Sequence, residues 1–169
     1  LNCLMLLGIL IVCGGATRAV AEVAPVVMPA EFSSLGFKGH VESLQDDERQ
    51  WRLQDVLQQA DQQSQPVATE PPSFGFTTST YWFRTAVNNP SPNPVYTLFE
   101  ISYPVLDDVT VYVIGPEGLR STHQFGDVVP FDQREIKNRN YLLELAIPAG
   151  DTVKLLVRAQ SSGSMQVPM

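Results

Sequence analysis

Eight side chains have the types and spacing to handle a small polar ligand: Trp82, Arg84, Glu100, Tyr103, Asp107, Arg134, Arg139 and Asn140. An aromatic ring offers an apolar face to a pyranose, while arginine, carboxylate and amide groups supply the donors and acceptors that its hydroxyls need. Each also has a plainer role. Burial in packing is the commoner fate of a tryptophan. Arg84 and Glu100 can pair across neighbouring strands. Asp107, with Tyr103 on the other side of Pro104, can close a turn through its own backbone. Arg134, Arg139 and Asn140 differ, because they fall in a segment longer than a tight hairpin requires, and binding groups concentrate on such loops.

Catalysis has little to work with. The histidines are His40 and His123, and there is no nucleophile motif, no H-E-x-x-H and no glycine-rich phosphate loop. Asp107 and Asp108, with Glu100 or Asp127, are the nearest approach to a glycosidase pair. Adjacent strand residues point to opposite faces, so the two aspartates do not converge. The reading is therefore binding without turnover. Calcium is the one cofactor left open: it takes six to eight oxygens, and Asp107, Asp108, Asp127 and Asp132 are possible donors, although no D-x-D-x-D-G loop is present.

The elements that must hold these residues follow from hydrophobic period. An aspartate three residues before Gln50 suggests a capping-box start, and Leu53, Val56, Leu57 and Ala60 recur at helical spacing, which predicts one amphipathic helix over about 48–62. A short extended piece at 37–44 precedes it. From Phe74 the period becomes two. Tyr81 to Asn88 and Val95 to Tyr103 read as strands joined across the proline cluster 90–94. Val109 to Ile114 turns at Gly115-Pro116-Glu117-Gly118 into another hairpin. Asn140 to Ile147 and Thr152 to Ala159 read as a third, and Met165 to Met169 as the opening of a further strand. Alternation places Tyr81 and Phe83 on an apolar core face and leaves Trp82 and Arg84 on an open one. Many short strands with Pro/Gly turns predict an all-β antiparallel sandwich with one short N-terminal helix.

The N-terminus bears on compartment. A short apolar run from Leu4 to Val12 leads to Ala19-Val20-Ala21, a signal-peptide pattern with cleavage expected after Ala21. The run is interrupted by Gly14, Gly15 and Arg18, short of the ~20 apolar residues of a membrane span. The expected organisation is a signal peptide over 1–21, a flexible leader over 22–35 and one domain over 36–169, with its last strand open to continuation. Both cysteines, Cys3 and Cys13, lie in the first segment, so no disulfide or thiolate metal site is expected in the domain. The formal net charge is −7, and losing Arg18 makes it more negative. A nucleic-acid footprint is absent.

Taken together, Tyr81-Trp82-Phe83-Arg84, the run Glu100 to Asp107, Gly126-Asp127, Pro130-Phe131, Arg134, Arg139-Asn140, and Arg158 with Ser161-Ser162-Gly163-Ser164 resemble a known sensory module. It is the second type of extracellular domain of bacterial seven-transmembrane receptors with diverse intracellular signalling modules. The resemblance spans roughly 36–169. It implies a jelly-roll sandwich similar to carbohydrate-binding modules. It also implies a periplasmic sensor tethered to the inner membrane, a seven-helix unit beyond this chain and a histidine-kinase or cyclic-di-nucleotide effector. The expected ligand is a carbohydrate or other small polar molecule, and a homodimer is compatible with this class. The alternative is a carbohydrate-binding accessory or adhesion module without a signalling unit.

Overall fold

The computed structural model describes residues 23–169. The expected signal peptide, its cleavage after Ala21, and both cysteines lie outside the described residues. In chain order the elements are β1 (Val26–Val27), β2 (Glu42–Asp46), α1 (Leu53–Gln63), β3 (Gln65–Pro66), β4 (Ser73–Phe76), β5 (Thr80–Asn88) and β6 (Val95–Ile101). They continue with β7 (Asp108–Gly115), β8 (Gly118–Phe125), β9 (Tyr141–Ile147), β10 (Thr152–Gln160) and β11 (Ser164–Gln166). The fold is the all-β sandwich with one helix that the sequence predicts.

One layer is a large sheet in the order β3-β2-β5-β10-β7-β8, with β1 added in parallel to β5. The opposite layer consists of two antiparallel pairs, β4 with β11 and β6 with β9. The core lies between the layers. Tyr81 and Phe83 of β5, Leu155 and Val157 of β10, Phe99 and Ile101 of β6, and Leu143 of β9 belong to one buried cluster. Burial of large side chains at ~1.5–3 kcal/mol each is the main stabilising contribution.

A second, smaller cluster sits on the other face of the large sheet, where Val56 of α1 packs with Leu44, Trp82 and Leu156. The helix begins later than its period suggests. The Asp46 carboxylate accepts the backbone N–H groups of Gln50 (3.2 Å) and Trp51 (2.9 Å), and Arg49 adopts a left-handed φ of 57°. Those contacts hold residues 46–51 as a loop. The helix then starts with Asp55, whose carboxylate accepts the Arg52 backbone N–H at 2.8 Å, the reciprocal half of a capping box.

Two expected hairpins are instead crossings between layers. β5 pairs with β2 and β10, whereas β6 pairs only with β9, so the chain changes layer across 89–94. Asn89 makes that possible. Its buried side-chain amide donates to the carbonyls of Asn93, Ile147 and Pro148 and its carbonyl accepts from Ser91 N–H, so the polar atoms of the crossing are satisfied internally. The β9–β10 turn likewise passes from one layer to the other. The β7–β8 hairpin forms as read. The expected leader is also corrected: β1 pairs with Val87 and Asn88, and Met28 is buried in the main core.

Candidate functional site

The alternation read for β5 is right, but the face that it leaves is closed. Trp82 is fully buried beneath α1, with Tyr112 stacked on it at 5.9 Å between ring centroids. Arg84 does not meet Glu100. Its Nε and Nη2 donate to Glu42 Oε2 at 2.8 and 2.5 Å, and Ser64 Oγ donates to the same oxygen at 3.0 Å. Glu42 belongs to β2, the hydrogen-bonded neighbour of β5, while Glu100 is in the opposite layer. Glu42 is fully buried, so its partners compensate a charge that would otherwise be costly to bury. Trp82 and Arg84 are parts of the scaffold.

Tyr103 is half-buried against the main core. Asp107 ties two loops together, its Oδ2 accepting the Ser162 N–H at 2.6 Å. This bond reaches another segment, where the sequence suggested a turn closed through the residue's own neighbours. Gly126 stands close by with a φ of 104°, and a Cβ there would lie 2.3 Å from the Asp107 carbonyl oxygen. The possible calcium donors do not gather: Asp108 pairs with Arg158 at 2.6 Å, and among the described residues no three His, Cys, Asp or Glu side chains cluster as a metal would require.

The remaining residues do come together. Asn140 Nδ2 donates to Glu100 Oε1 at 2.5 Å, and the Asn140 N–H donates to Asn138 Oδ1 at 2.9 Å. Arg134 shapes the loop from within. Its guanidinium lies 5.5 Å from the Phe131 ring centroid and 5.1 Å from that of Tyr141, and Nη1 donates to the carbonyl of Asn138 at 3.2 Å. Arg139 is exposed. Burial raises the Tyr141 phenol above its ordinary value, and the Arg134 cation acts in the opposite direction. The Tyr141 hydroxyl donates to the Leu106 carbonyl at 3.0 Å, anchoring the first residue of β9 beneath the loop.

This loop borders the outer face of β6–β9, which is open. Register places Tyr96 opposite Ala146, Leu98 opposite Glu144 and Glu100 opposite Leu142. Val95, Thr97, Phe99 and Ile101 turn inward, so Tyr96, Leu98 and Glu100 turn outward. Tyr96 is 79% exposed. With Leu98, Glu144, Ala146 and Glu135 it lines a shallow depression. Glu135 is positioned from below by His123 Nδ1 at 3.2 Å, and His123 Nε2 lies 2.8 Å from Ser121 Oγ. Tyr96, Glu135 and Glu144 are the members that sequence reasoning missed. The alternation of Val95 to Ile101 carried the signal, since it marks Tyr96 as the outward aromatic of that strand.

The assembled surface can stack an apolar ring face on Tyr96 and exchange hydrogen bonds with hydroxyls through Glu100, Glu144 and Asn140. Among the described residues no helix is long and apolar enough to cross a membrane. Among curated proteins no relative matches the chain. The model of the family 7TMR-DISM extracellular 2 matches residues 38–169, and the chain belongs to that family of extracellular, periplasmic sensor domains of seven-transmembrane receptors.

Proposed function

We propose that this domain is the ligand-sensing head of an inner-membrane receptor with a hybrid histidine kinase or cyclic-di-nucleotide effector, and that it binds a neutral carbohydrate without turnover. The observation that carries the ligand class is the outward Tyr96 ring beside Glu144 and the Glu100–Asn140 pair. A solvent-facing aromatic on a rigid strand gives stacking area at little entropic cost. Carboxylate and amide groups around it satisfy hydroxyls. Glu100, Glu135 and Glu144 crowd this face with negative charge, which favours a neutral sugar over a phosphorylated or carboxylated one by like-charge repulsion. For signalling, the ligand must bind one arrangement of the receptor head more tightly than another.

The test is a glycan array with the purified domain, followed by calorimetric titration of the best neutral glycan. Tyr96→Ala is expected to weaken binding by about 0.5–1.5 kcal/mol, and Asn140→Ala by about 0.5–1.5 kcal/mol. Unchanged affinity in both variants, or a preference for anionic glycans, overturns the assignment.

A further inference from the structure

The layer facing the large sheet is divided. β4 pairs with β11 and β6 pairs with β9, and no ladder joins the two pairs. At their junction the tail after β11 makes a single backbone contact with β6, the Ser102 N–H donating to the Pro168 carbonyl at 3.1 Å. Backbone groups alternate sides along a strand, so the N–H and C=O of Glu100, Leu98 and Tyr96 point the same way as the Ser102 N–H. No described backbone segment bonds them there. An unpaired strand edge is a template for another strand.

Beside that edge lies a groove of about 450 Å³. Thr97 to Glu100 form one wall, Ser33 to Leu35 the other, and Phe99 and Leu145 at its base belong to the main core. Met169 lines it, and also lines a second cavity of about 380 Å³ against Val41, Val67 and Pro72. The edge from Ser102 to Tyr96 is about 20 Å long at ~3.3 Å per residue. That length suits about six residues of extended chain.

We propose that this groove is a strand-acceptor site occupied by the receptor's own polypeptide running on from Met169, antiparallel to β6. It would join the β4–β11 and β6–β9 pairs into one continuous layer. Its alternate side chains are apolar toward Phe99 and Leu145 and polar toward solvent. The Pro168 carbonyl already sets the register on Ser102, and insertion in cis avoids the association cost that a second molecule would meet. Membership of an extracellular receptor-domain family implies receptor polypeptide beyond this chain. The inference stands on the backbone geometry and needs no ligand on the Tyr96 face.

Amide hydrogen exchange tests it, read at Tyr96, Leu98 and Glu100 in the solubilised full-length receptor and in the isolated domain ending at Met169. Exchange about 100-fold slower or more in the receptor is the expected result, because a ladder bond is released only by local opening. Equal rates in the two proteins overturn the proposal. Slowing that grows with concentration of the isolated domain overturns it as well, by assigning the edge to a second copy.

Discussion

The outer faces of the two layers have similar strand patterns and opposite fates. On the large sheet, Trp82 and Arg84 point away from the main core and are closed over, Trp82 by α1 and Arg84 by a fully buried carboxylate. On β6–β9, Tyr96, Leu98 and Glu100 also point away from the core and stay open. Alternation decides which side of a strand a residue takes. What covers that side is decided by another element, here an eleven-residue helix from a different part of the chain.

Four measurements would break or sharpen this contrast. The largest effect is expected at Trp82: Trp82→Ala should lower unfolding free energy by about 3–5 kcal/mol through loss of burial and creation of a cavity. Tyr96→Ala should stay within about 0.5 kcal/mol. Chemical denaturation decides between them, and equal losses would mean that the two faces do not differ as described. Glu42→Gln should follow at about 3 kcal/mol, because it removes one charge of a buried pair, while Glu144→Gln on the open face should be near neutral.

Within the loop, Arg134→Ala should cost about 1–2 kcal/mol through its ring and carbonyl contacts, whereas Arg139→Ala should leave the thermal midpoint unchanged. A reversed ranking would make Arg139 the loop's organiser. The smallest effect concerns pH. Burial raises the phenols of Tyr81, Tyr112 and Tyr141. Above about pH 10 the unfolded chain releases those protons while the folded protein retains them, so stability is full below that pH and falls as pH rises through the folded values. Tyr141→Phe should flatten the decline in an alkaline denaturation series, and an unchanged slope would remove Tyr141 from the account.

The loop at 130–140 shows how far residue type alone leads. Its arginines and asparagine were legible as special, and Asn140 does meet Glu100 across 40 positions of sequence. Arg134, by contrast, spends its guanidinium on Phe131, Tyr141 and loop carbonyls, a role that its type does not separate from ligand contact. Arg84 and Glu100 offered the reverse case, since two residues plausible as cross-strand partners belong to different layers.

What the sequence determined by itself is local: the period-two strands after Phe74, the β7–β8 turn, the inward set Tyr81 and Phe83, and the family pattern carried by the whole segment. Side-chain alternation and turn chemistry act over a few residues, so they can be read from a few residues. Only the tertiary structure decided that β5 and β6 part company at Asn89, that α1 covers Trp82, and that Tyr96 is left facing solvent. Those outcomes depend on which distant strands share hydrogen bonds and which layer remains uncovered, and they are settled by the burial of the whole core at once.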